Sequence, residues 1–317
     1  MRLLSTLTLV VSLFTAPAWP QAAAPKAATT GLFDKIAVIG ASVSAGYGID
    51  VDGERESRSS DAGLADIIEA SLKTEHQKIL ARASSLFFMD PDANGKSAVK
   101  KATAHEPTLL VALDFLFWYG YGPVDSEDAR LAGLDRGLDQ LKGFTCPILL
   151  GDIPDMSISL EAPAPMLRKE WVPAKETLAK LNERIEAYAK EHSNVVLVPI
   201  AALVGKIQRG DAFSLRGTNY EKGALIGMLQ EDRLHATLEG TCALWVTALD
   251  TLLKARPQTD PATLRFDIKG LAADVAKTRK AEIEKQKAAK KARDDERRRR
   301  AAEKAESRPT SAPAEKT

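Results

Sequence analysis

The chain has 317 residues, of which 44% are hydrophobic, and its 44 Lys and Arg residues nearly balance 43 Asp and Glu residues, for a net charge of +1. This length and composition fit one sizeable α/β domain with appendages. Residues 277–306 carry a net charge of +6 and leave the remainder mildly acidic, which argues against a nucleic-acid partner for the main domain.

The N-terminal residues 1–24 have the pattern of a cleaved secretory signal. Arg2 supplies a positive start, and the apolar stretch 3–14 is too short to span a bilayer comfortably. Ala16-Pro17-Ala18 and Ala22-Ala23-Ala24 are both candidate cleavage sites because their residues are small. The alternative is an uncleaved membrane anchor. We expect a secreted or periplasmic protein in which a linker, residues 25–34, precedes the folded part.

The first predicted strand, residues 36–39, is a continuous apolar run that ends at Gly40. A short β-branched run of this kind indicates a strand buried on both faces. The Gly- and Ser-rich turn that follows therefore lies at the carboxyl edge of a sheet, where open α/β sheets bind their ligands. Ser42 is the first possible nucleophile there. The alternative is a turn in which the Ser42 and Ser44 hydroxyls only bond nearby backbone.

The remaining elements alternate between strand and helix along the chain. The pattern predicts strands over 78–83, 108–117, 147–153 and 195–200, and helices over 61–73, 95–104, 126–142, 174–190 and 237–254. It predicts a turn at 90–95, an irregular loop over 156–172 and a loop or lid over 205–231. Strands joined by helical crossovers predict a three-layer, flavodoxin-like parallel sheet of five strands in the order 2-1-3-4-5, within a domain of residues 35–256.

The C-terminal tail, residues 257–317, differs in composition from this domain. Between residues 274 and 306, Val275 and Ile283 are the only large apolar residues. We expect this part to be an exposed helix or disordered, with almost no contact with the domain, and residues 307–317 to be disordered. Its positive charge favours contact with an anionic surface, the alternative being a solvated spacer. We expect a monomer.

The two cysteines, Cys146 and Cys242, could form a disulfide bond in an exported protein. Cys146 opens a predicted strand, whereas Cys242 lies within the last predicted helix of the domain. These positions belong to different levels of the sheet. We therefore expect two buried thiols.

Topology separates the four histidines. Three of them precede predicted strands and should lie at the amino edge of the sheet, away from Ser42: His76, His105 and His192. Only His235 follows the last strand and precedes the last helix. Asp232, three residues earlier, could accept a hydrogen bond from its imidazole and leave the other ring nitrogen facing a serine. The alternative is an ordinary polar loop before a helix.

At these residues the sequence resembles the SGNH (GDSL-type) serine hydrolases. Gly40-Ala41-Ser42-Val43-Ser44-Ala45-Gly46-Tyr47-Gly48 is similar to that family's first block, Gly-Asp-Ser-Leu followed by a small-residue turn. Asp232-Arg233-Leu234-His235, with Gly240 beyond it, is similar to its last block, Asp-x-x-His. Gly151-Asp152-Ile153-Pro154 resembles the end of its fourth strand. The resemblance implies a flavodoxin-like fold and hydrolysis of an ester, thioester or O-acetyl group without a cofactor. It implies Ser42 as nucleophile, His235 as base and Asp232 as orienting acid.

The chain departs from the family pattern in three blocks. Ala41 replaces the Asp of the first block, and no residue between Ala83 and Gly95 matches the glycine of the second. In the third block, Gly-x-Asn-Asp, Asp114 stands where the family has an Asn that donates to the oxyanion. A carboxylate only accepts hydrogen bonds unless it is protonated, so we expect Asp114→Asn to raise activity near neutral pH. The alternative is that Asp114 bonds local backbone N–H groups at the end of its strand.

An aromatic run follows the third predicted strand and offers an apolar acyl pocket. Its members are Phe115, Phe117, Trp118, Tyr119 and Tyr121. Alternation along a strand makes at least half of them core residues. We take Phe115 and Trp118 as candidate substrate-binding residues, and Asp152 and Asp155 as turn residues.

Two functions remain open from the sequence. The first is an exported serine hydrolase that cleaves a small-molecule carboxylic ester, whether lipid, acyl or O-acetyl. The second is a non-catalytic protein of the same fold that binds a ligand or a cell-envelope partner. No Cys/His cluster with metal-ligand spacing and no phosphate-binding loop is present, so we expect neither a metal nor a cofactor.

Overall fold

The structure is a computed structural model that describes residues 31–51, 53, 61–223 and 227–306. The predicted signal sequence, most of the predicted linker and the predicted disordered end lie outside these residues.

A parallel sheet of five strands forms the middle of the domain. The strands are β1 (Ile36–Gly40), β2 (Leu80–Ala83), β3 (Leu109–Ala112), β4 (Ile148–Gly151) and β5 (Val195–Val198). They lie in the order β2-β1-β3-β4-β5, and all four neighbouring pairs are parallel. This arrangement confirms the flavodoxin-like topology predicted from the sequence.

Helices cover both faces of the sheet. In chain order they are α1 (Ser42–Ala45), α2 (Leu64–Ser71), α3 (Pro91–His105), α4 (Phe117–Gly120), α5 (Glu127–Asp139), α6 (Lys175–Glu191), α7 (Ile200–Arg209), α8 (Leu238–Ala255) and α9 (Ile268–Glu306). Helices α2, α7, α8 and the start of α9 pack on one face, and α3, α5 and α6 pack on the other. The short helices α1 and α4 lie within the turns that follow β1 and β3.

Successive residues of β1 supply both cores because their side chains point to opposite faces of the sheet. Ile36 and Val38 pack with α2 and α8, whereas Ala37 and Ile39 pack with α3 and α5. All five residues of the strand are buried. The continuous apolar run in the sequence therefore reflects a strand that helices cover on both sides.

Three predicted segments are corrected. The apolar run 108–117 is a strand only as far as Ala112, after which the chain turns and forms α4. The predicted turn at 90–95 belongs to α3, because the Asp90 carboxylate caps the Ala93 N–H and Pro91 occupies the first helical turn. The predicted loop or lid over 205–231 contains the end of α7 and an antiparallel hairpin, β6 (Phe213–Leu215) and β7 (Thr218–Tyr220).

The prediction that the tail scarcely contacts the domain is wrong for its first part. Leu271 and Val275, on the first turns of α9, are buried in the same core as α2 and α8. Arg279 donates to the Asp61 carbonyl at 2.5 Å and lies 3.7 Å from the Asp66 carboxylate. From residue 284 to residue 301 the side chains are exposed apart from Glu296, so the distal part of α9 is the exposed helix that the sequence predicts.

The two thiols are free, as predicted, but only Cys242 is buried. Cys146 is half-buried and lies two positions before the start of β4. Burial raises the pKa of the Cys242 thiol to about 12. No helix among the described residues is both long enough and apolar enough to cross a membrane.

Candidate active site

The turn after β1 presents Ser42 at the carboxyl edge of the sheet. Ser42 opens α1, which ends at Gly46 with a φ of +75°. A side chain at Gly46 would collide with the Ala62 carbonyl, so both the backbone conformation and the available space favour glycine there. Ser42 is 8% exposed, and its hydroxyl lies at the wall of a cavity.

Asp114 holds this turn from the neighbouring strand. One of its oxygens, Oδ1, accepts hydrogen bonds from the Ala41 N–H at 3.0 Å and the Ser44 hydroxyl at 2.6 Å, and Oδ2 accepts from the Ser44 N–H at 3.0 Å. Gly40 permits this approach because a Cβ there would overlap Asp114 Oδ1. Of the two roles considered for Asp114, the structure therefore shows the strand-end group that bonds backbone N–H groups.

The loop before α8 brings His235 to Ser42. His235 Nε2 lies 3.0 Å from Ser42 Oγ, and His235 Nδ1 lies 2.7 Å from Asp232 Oδ2. His235 is 4% exposed, so this pair of hydrogen bonds is shielded from water. The predicted juxtaposition of the three side chains is present, and it has the order of a nucleophile, a base and an orienting acid.

Asp232 is bound to the His235 loop by more than the imidazole. Its Oδ1 accepts from the backbone N–H groups of Leu234 at 2.9 Å and His235 at 3.0 Å. Burial acts to raise the pKa of Asp232, but the hydrogen bonds and charge of His235, with the Leu234 N–H, leave that pKa below its ordinary value. The group therefore remains a carboxylate that can stabilise an imidazolium.

Two residues that the sequence analysis did not select join the Ser42 turn to the His235 loop. The Gln230 side-chain amide donates to the carbonyls of Tyr47 and Ala236, both at 2.7 Å, and its backbone N–H donates to the His235 carbonyl at 2.8 Å. The Tyr47 ring lies against the imidazole with a centroid distance of 4.5 Å. Gln230 lies outside the motifs. Tyr47 lies within the first block, but no pattern there indicates a contact with His235.

A mostly apolar cavity of about 80 Å³ adjoins Ser42. Residues at the ends of β1, β3 and β4 line it together with residues of α7 and α8. Phe117 is the aromatic residue of the predicted acyl pocket that lies in its wall. Phe115 is fully buried against Phe87 and Tyr119, and Trp118 packs on Phe88 and Trp171, so the structure does not place these two candidates in the cavity.

The remaining candidates are placed as follows. Asp155 accepts from the Ser157 N–H at 2.9 Å, as expected of a turn residue. Asp152 lines the cavity and accepts from the Ala201 N–H at 2.7 Å.

The other three histidines make no hydrogen bond with Ser42; His76, for example, pairs with Glu69. Within the described residues, no group of three or more His, Cys, Asp or Glu side chains is arranged to hold a metal ion.

Comparison with known proteins finds similarity among solved structures only. No family model and no curated protein sequence matches the chain. A lipase/acylhydrolase from Enterococcus faecalis is 13% identical over 73% of this chain and 97% of its own, with a TM-score of 0.46. The structure named TesA is 16% identical over 69% and 98%, with a TM-score of 0.42.

A further similar structure is a GDSL-like lipase from Bacteroides thetaiotaomicron, 16% identical over 70% of this chain and 88% of its own, with a TM-score of 0.42. The Enterococcus and Bacteroides proteins are named as a lipase/acylhydrolase and a GDSL-like lipase. The topology and the site described above rest on this chain's own strand order and hydrogen bonds.

Proposed function

We propose that this chain is an exported serine hydrolase of the SGNH type that cleaves a small-molecule carboxylic ester. One observation carries the proposal: Ser42, His235 and Asp232 form a continuous line of hydrogen bonds, 3.0 Å and 2.7 Å long, at the wall of an apolar cavity. A serine hydroxyl is a weak nucleophile until an adjacent base takes its proton, and this arrangement supplies the base and its orienting acid.

In the proposed reaction the Ser42 hydroxyl attacks the ester carbonyl while His235 Nε2 takes its proton. Asp232 keeps Nδ1 protonated and stabilises the resulting imidazolium. The bond to the alcohol oxygen then breaks, and the imidazolium gives its proton to that oxygen. The alcohol departs, and the acyl group remains on Ser42 Oγ as an acyl-Ser42 intermediate. A water molecule, deprotonated by His235, attacks this intermediate and releases the carboxylic acid and free Ser42.

The oxyanion that forms during both steps needs hydrogen-bond donors. The Ser42 backbone N–H is a candidate, because none of the described residues accepts a hydrogen bond from it. Asp114 is not, because its oxygens accept from Ala41 and Ser44. The family pattern has an Asn at the position of Asp114, whose side-chain amide would donate to the oxyanion. The absence of that donor favours the second candidate function, a non-catalytic binding protein.

Measurement of phenyl acetate hydrolysis by variants of the three residues separates the two functions. We expect Ser42→Ala and His235→Ala each to lower kcat by at least about a thousandfold, and Asp232→Asn by a comparable factor. His192→Ala is the matched control, since His192 stacks on Tyr188 away from Ser42. Native hydrolysis no faster than that of Ser42→Ala would contradict the hydrolase and favour the binding protein.

Export rests on the sequence of residues 1–24, which the structure does not describe. N-terminal sequencing of the protein recovered from the periplasm or medium tests it. A mature chain that begins shortly after residue 18 or 24 is the expected result, and a cell-associated chain that retains residues 1–24 would contradict export.

A further inference from the structure

The cavity beside Ser42 contains a carboxylate that the proposed reaction does not use. The polar side chains in its wall are those of Ser42, Asp114 and Asp152, and the other lining residues are apolar or glycine. Ser42 is the proposed nucleophile. Asp114 holds the turn around it through three hydrogen bonds to its two oxygens. Among the described residues of the wall, Asp152 is therefore the one polar side chain without an assigned role.

Asp152 comes directly after β4 and is only partly satisfied by the protein. Its Oδ1 accepts a hydrogen bond, at 2.7 Å, from the Ala201 N–H in the first turn of α7, and the Ile200 N–H and its own N–H also act on the carboxylate. A carboxylate offers about four acceptor positions, so some acceptor capacity remains on Asp152, which lines the cavity. Desolvation raises the pKa of Asp152 to about 6, although the N–H groups of Ala201 and Ile200 oppose this. The group is thus held where its charged form is poorly solvated.

The dimensions of the cavity limit what can reach this carboxylate. Ser42 follows β1 and Asp152 follows β4, with β3 between them. Neighbouring strands lie about 4.8 Å apart, so the two positions are separated by roughly 10 Å across the sheet edge. A cavity of about 80 Å³ has room for a chain of a few carbon atoms.

We propose that Asp152 determines specificity, and that the cavity takes a short acyl group carrying a hydrogen-bond donor, a hydroxyl or an ammonium, near its far end. This inference rests on the proposed function, because it requires an acyl group on Ser42. A purely apolar acyl chain would cover the Asp152 oxygens without pairing them. A donor on the chain would pair them, and sites of this kind discriminate strongly against analogues that lack the donor.

A purely structural role for Asp152 is the competing explanation, since the carboxylate accepts from the first turn of α7. The two roles make different predictions. If Asp152 only caps the helix, its replacement lowers the thermal stability and leaves the choice of substrate unchanged. If it contacts the acyl group, its replacement changes the ratio of rates for two substrates that differ only in the donor.

The test compares the hydrolysis of ethyl 4-hydroxybutanoate with that of ethyl pentanoate, in which a methyl group replaces the hydroxyl. The measured quantity is the rate at which acid is released, after subtraction of the uncatalysed rate. We expect native protein to favour the hydroxy ester at least tenfold in kcat/KM, and Asp152→Ala to abolish or reverse that preference. Leu203→Ala is the matched control, because it also enlarges the cavity wall but keeps the carboxylate, and it should retain the preference. The same ratio in native protein and Asp152→Ala would overturn the proposal.

A second variant keeps the test decisive if Asp152→Ala folds poorly. Asp152→Asn retains an acceptor for the Ala201 N–H and removes the charge. The third substrate is ethyl 4-aminobutanoate, and for each protein its kcat/KM is divided by the kcat/KM for ethyl pentanoate. We expect this ratio to be at least tenfold lower in Asp152→Asn than in native protein. If the ratio to ethyl pentanoate is unchanged for both the amino and the hydroxy ester, Asp152 pairs with neither donor.

Failure of the proposed function gives a different result from failure of this inference. Native protein that hydrolyses phenyl acetate through Ser42 but does not discriminate among the three ethyl esters overturns only the role of Asp152. If native protein hydrolyses no ester, both the proposed hydrolase function and the proposed acyl-binding role of the cavity are contradicted.

Discussion

Asp114 shows how strongly the role of one residue depends on its contacts. By the family pattern alone, Asp114 occupies the position of an oxyanion donor but lacks the N–H group that would donate. In the structure it is an anchor that accepts from Ala41 and twice from Ser44, and so fixes the turn that carries Ser42. The carboxylate form suits this task, because all three partners are donors.

We therefore expect Asp114→Asn to lower esterase activity, the reverse of what the sequence suggests. The amide has a single acceptor oxygen, and its NH₂ group would face an N–H or O–H donor. Displacement of the turn should reduce kcat by roughly 10- to 100-fold, and the unpaired donors should cost about 1–3 kcal/mol of stability.

Ser44→Ala is the control for this variant. It removes the Ser44 hydroxyl contact but leaves both backbone contacts to Asp114, so its loss of activity should be smaller. Steady-state kinetics and denaturant titrations of the two variants give the comparison. An Asp114→Asn protein more active than native would restore the view of Asp114 as a misplaced oxyanion donor.

Asp152 should make the stability of the protein depend on pH in a defined direction. Its pKa is about 6 in the folded protein, against 3.8 for the ordinary group, so the folded state holds the proton more tightly than the unfolded state. The free energy of unfolding therefore falls as pH rises from about 4 to 6, by up to about 3 kcal/mol from this group. Asp152→Asn lacks the titration.

The measurement is the difference in unfolding free energy between Asp152→Asn and native protein at pH 4.5, 6 and 7.5. We expect this difference to shift in favour of the variant as the pH rises. Asp155→Asn, in the exposed turn nearby, controls for the loss of one carboxylate from this region. A difference that stays constant with pH would mean that Asp152 is as well solvated in the folded protein as in the unfolded chain.

Helix α9 has two parts with different roles. Ile268, Leu271 and Val275 recur at helical spacing and are buried against the domain, whereas residues 284–301 are exposed apart from Glu296 and are mostly charged. The sequence contains this periodicity, but the highly charged composition of residues 274–306 obscured it. The first turns of α9 thus complete the helical layer formed by α2 and α8.

Two truncations test this division. Deletion of residues 284–317 should leave the melting temperature within about 2 °C of native, since exposed charged residues contribute little to stability. Deletion of residues 270–317 removes Leu271, Val275 and Arg279 and should lower it by roughly 10 °C, given about 1.5–3 kcal/mol for each buried side chain. Equal melting temperatures for the two truncations, measured by calorimetry, would show that α9 does not support the domain.

Much of the fold follows from the sequence because each strand is marked locally. The buried strands are short apolar runs, and the alternation with amphipathic helices leaves few parallel topologies. The same topology singles out His235, since it is the histidine that follows the last strand of the sheet. The end of β3 was missed because the apolar run continues into α4, and hydrophobicity alone does not distinguish a buried strand from a buried helical turn.

The rest of the site depends on contacts between distant parts of the chain. Asp114 and Ser44 are 70 residues apart, and Gln230 reaches the Tyr47 carbonyl across 183 residues. Their pairing depends on the register of the strands and the path of the loops, which no local pattern specifies. The positions of the aromatic residues after β3 also depend on the path of the chain. Because the chain turns into α4, Phe117 lines the cavity and Phe115 is buried in the core.

The central claim, that Ser42 is a nucleophile activated by His235, is tested most directly by a fluorophosphonate probe, which reacts with activated serines. We expect one phosphonyl adduct per native molecule, located at Ser42 by mass spectrometry of the digested protein. Ser42→Ala should give no adduct, and His235→Ala should react at least about a hundredfold more slowly. No adduct on native protein, or equally fast labelling of His235→Ala, would contradict the claim.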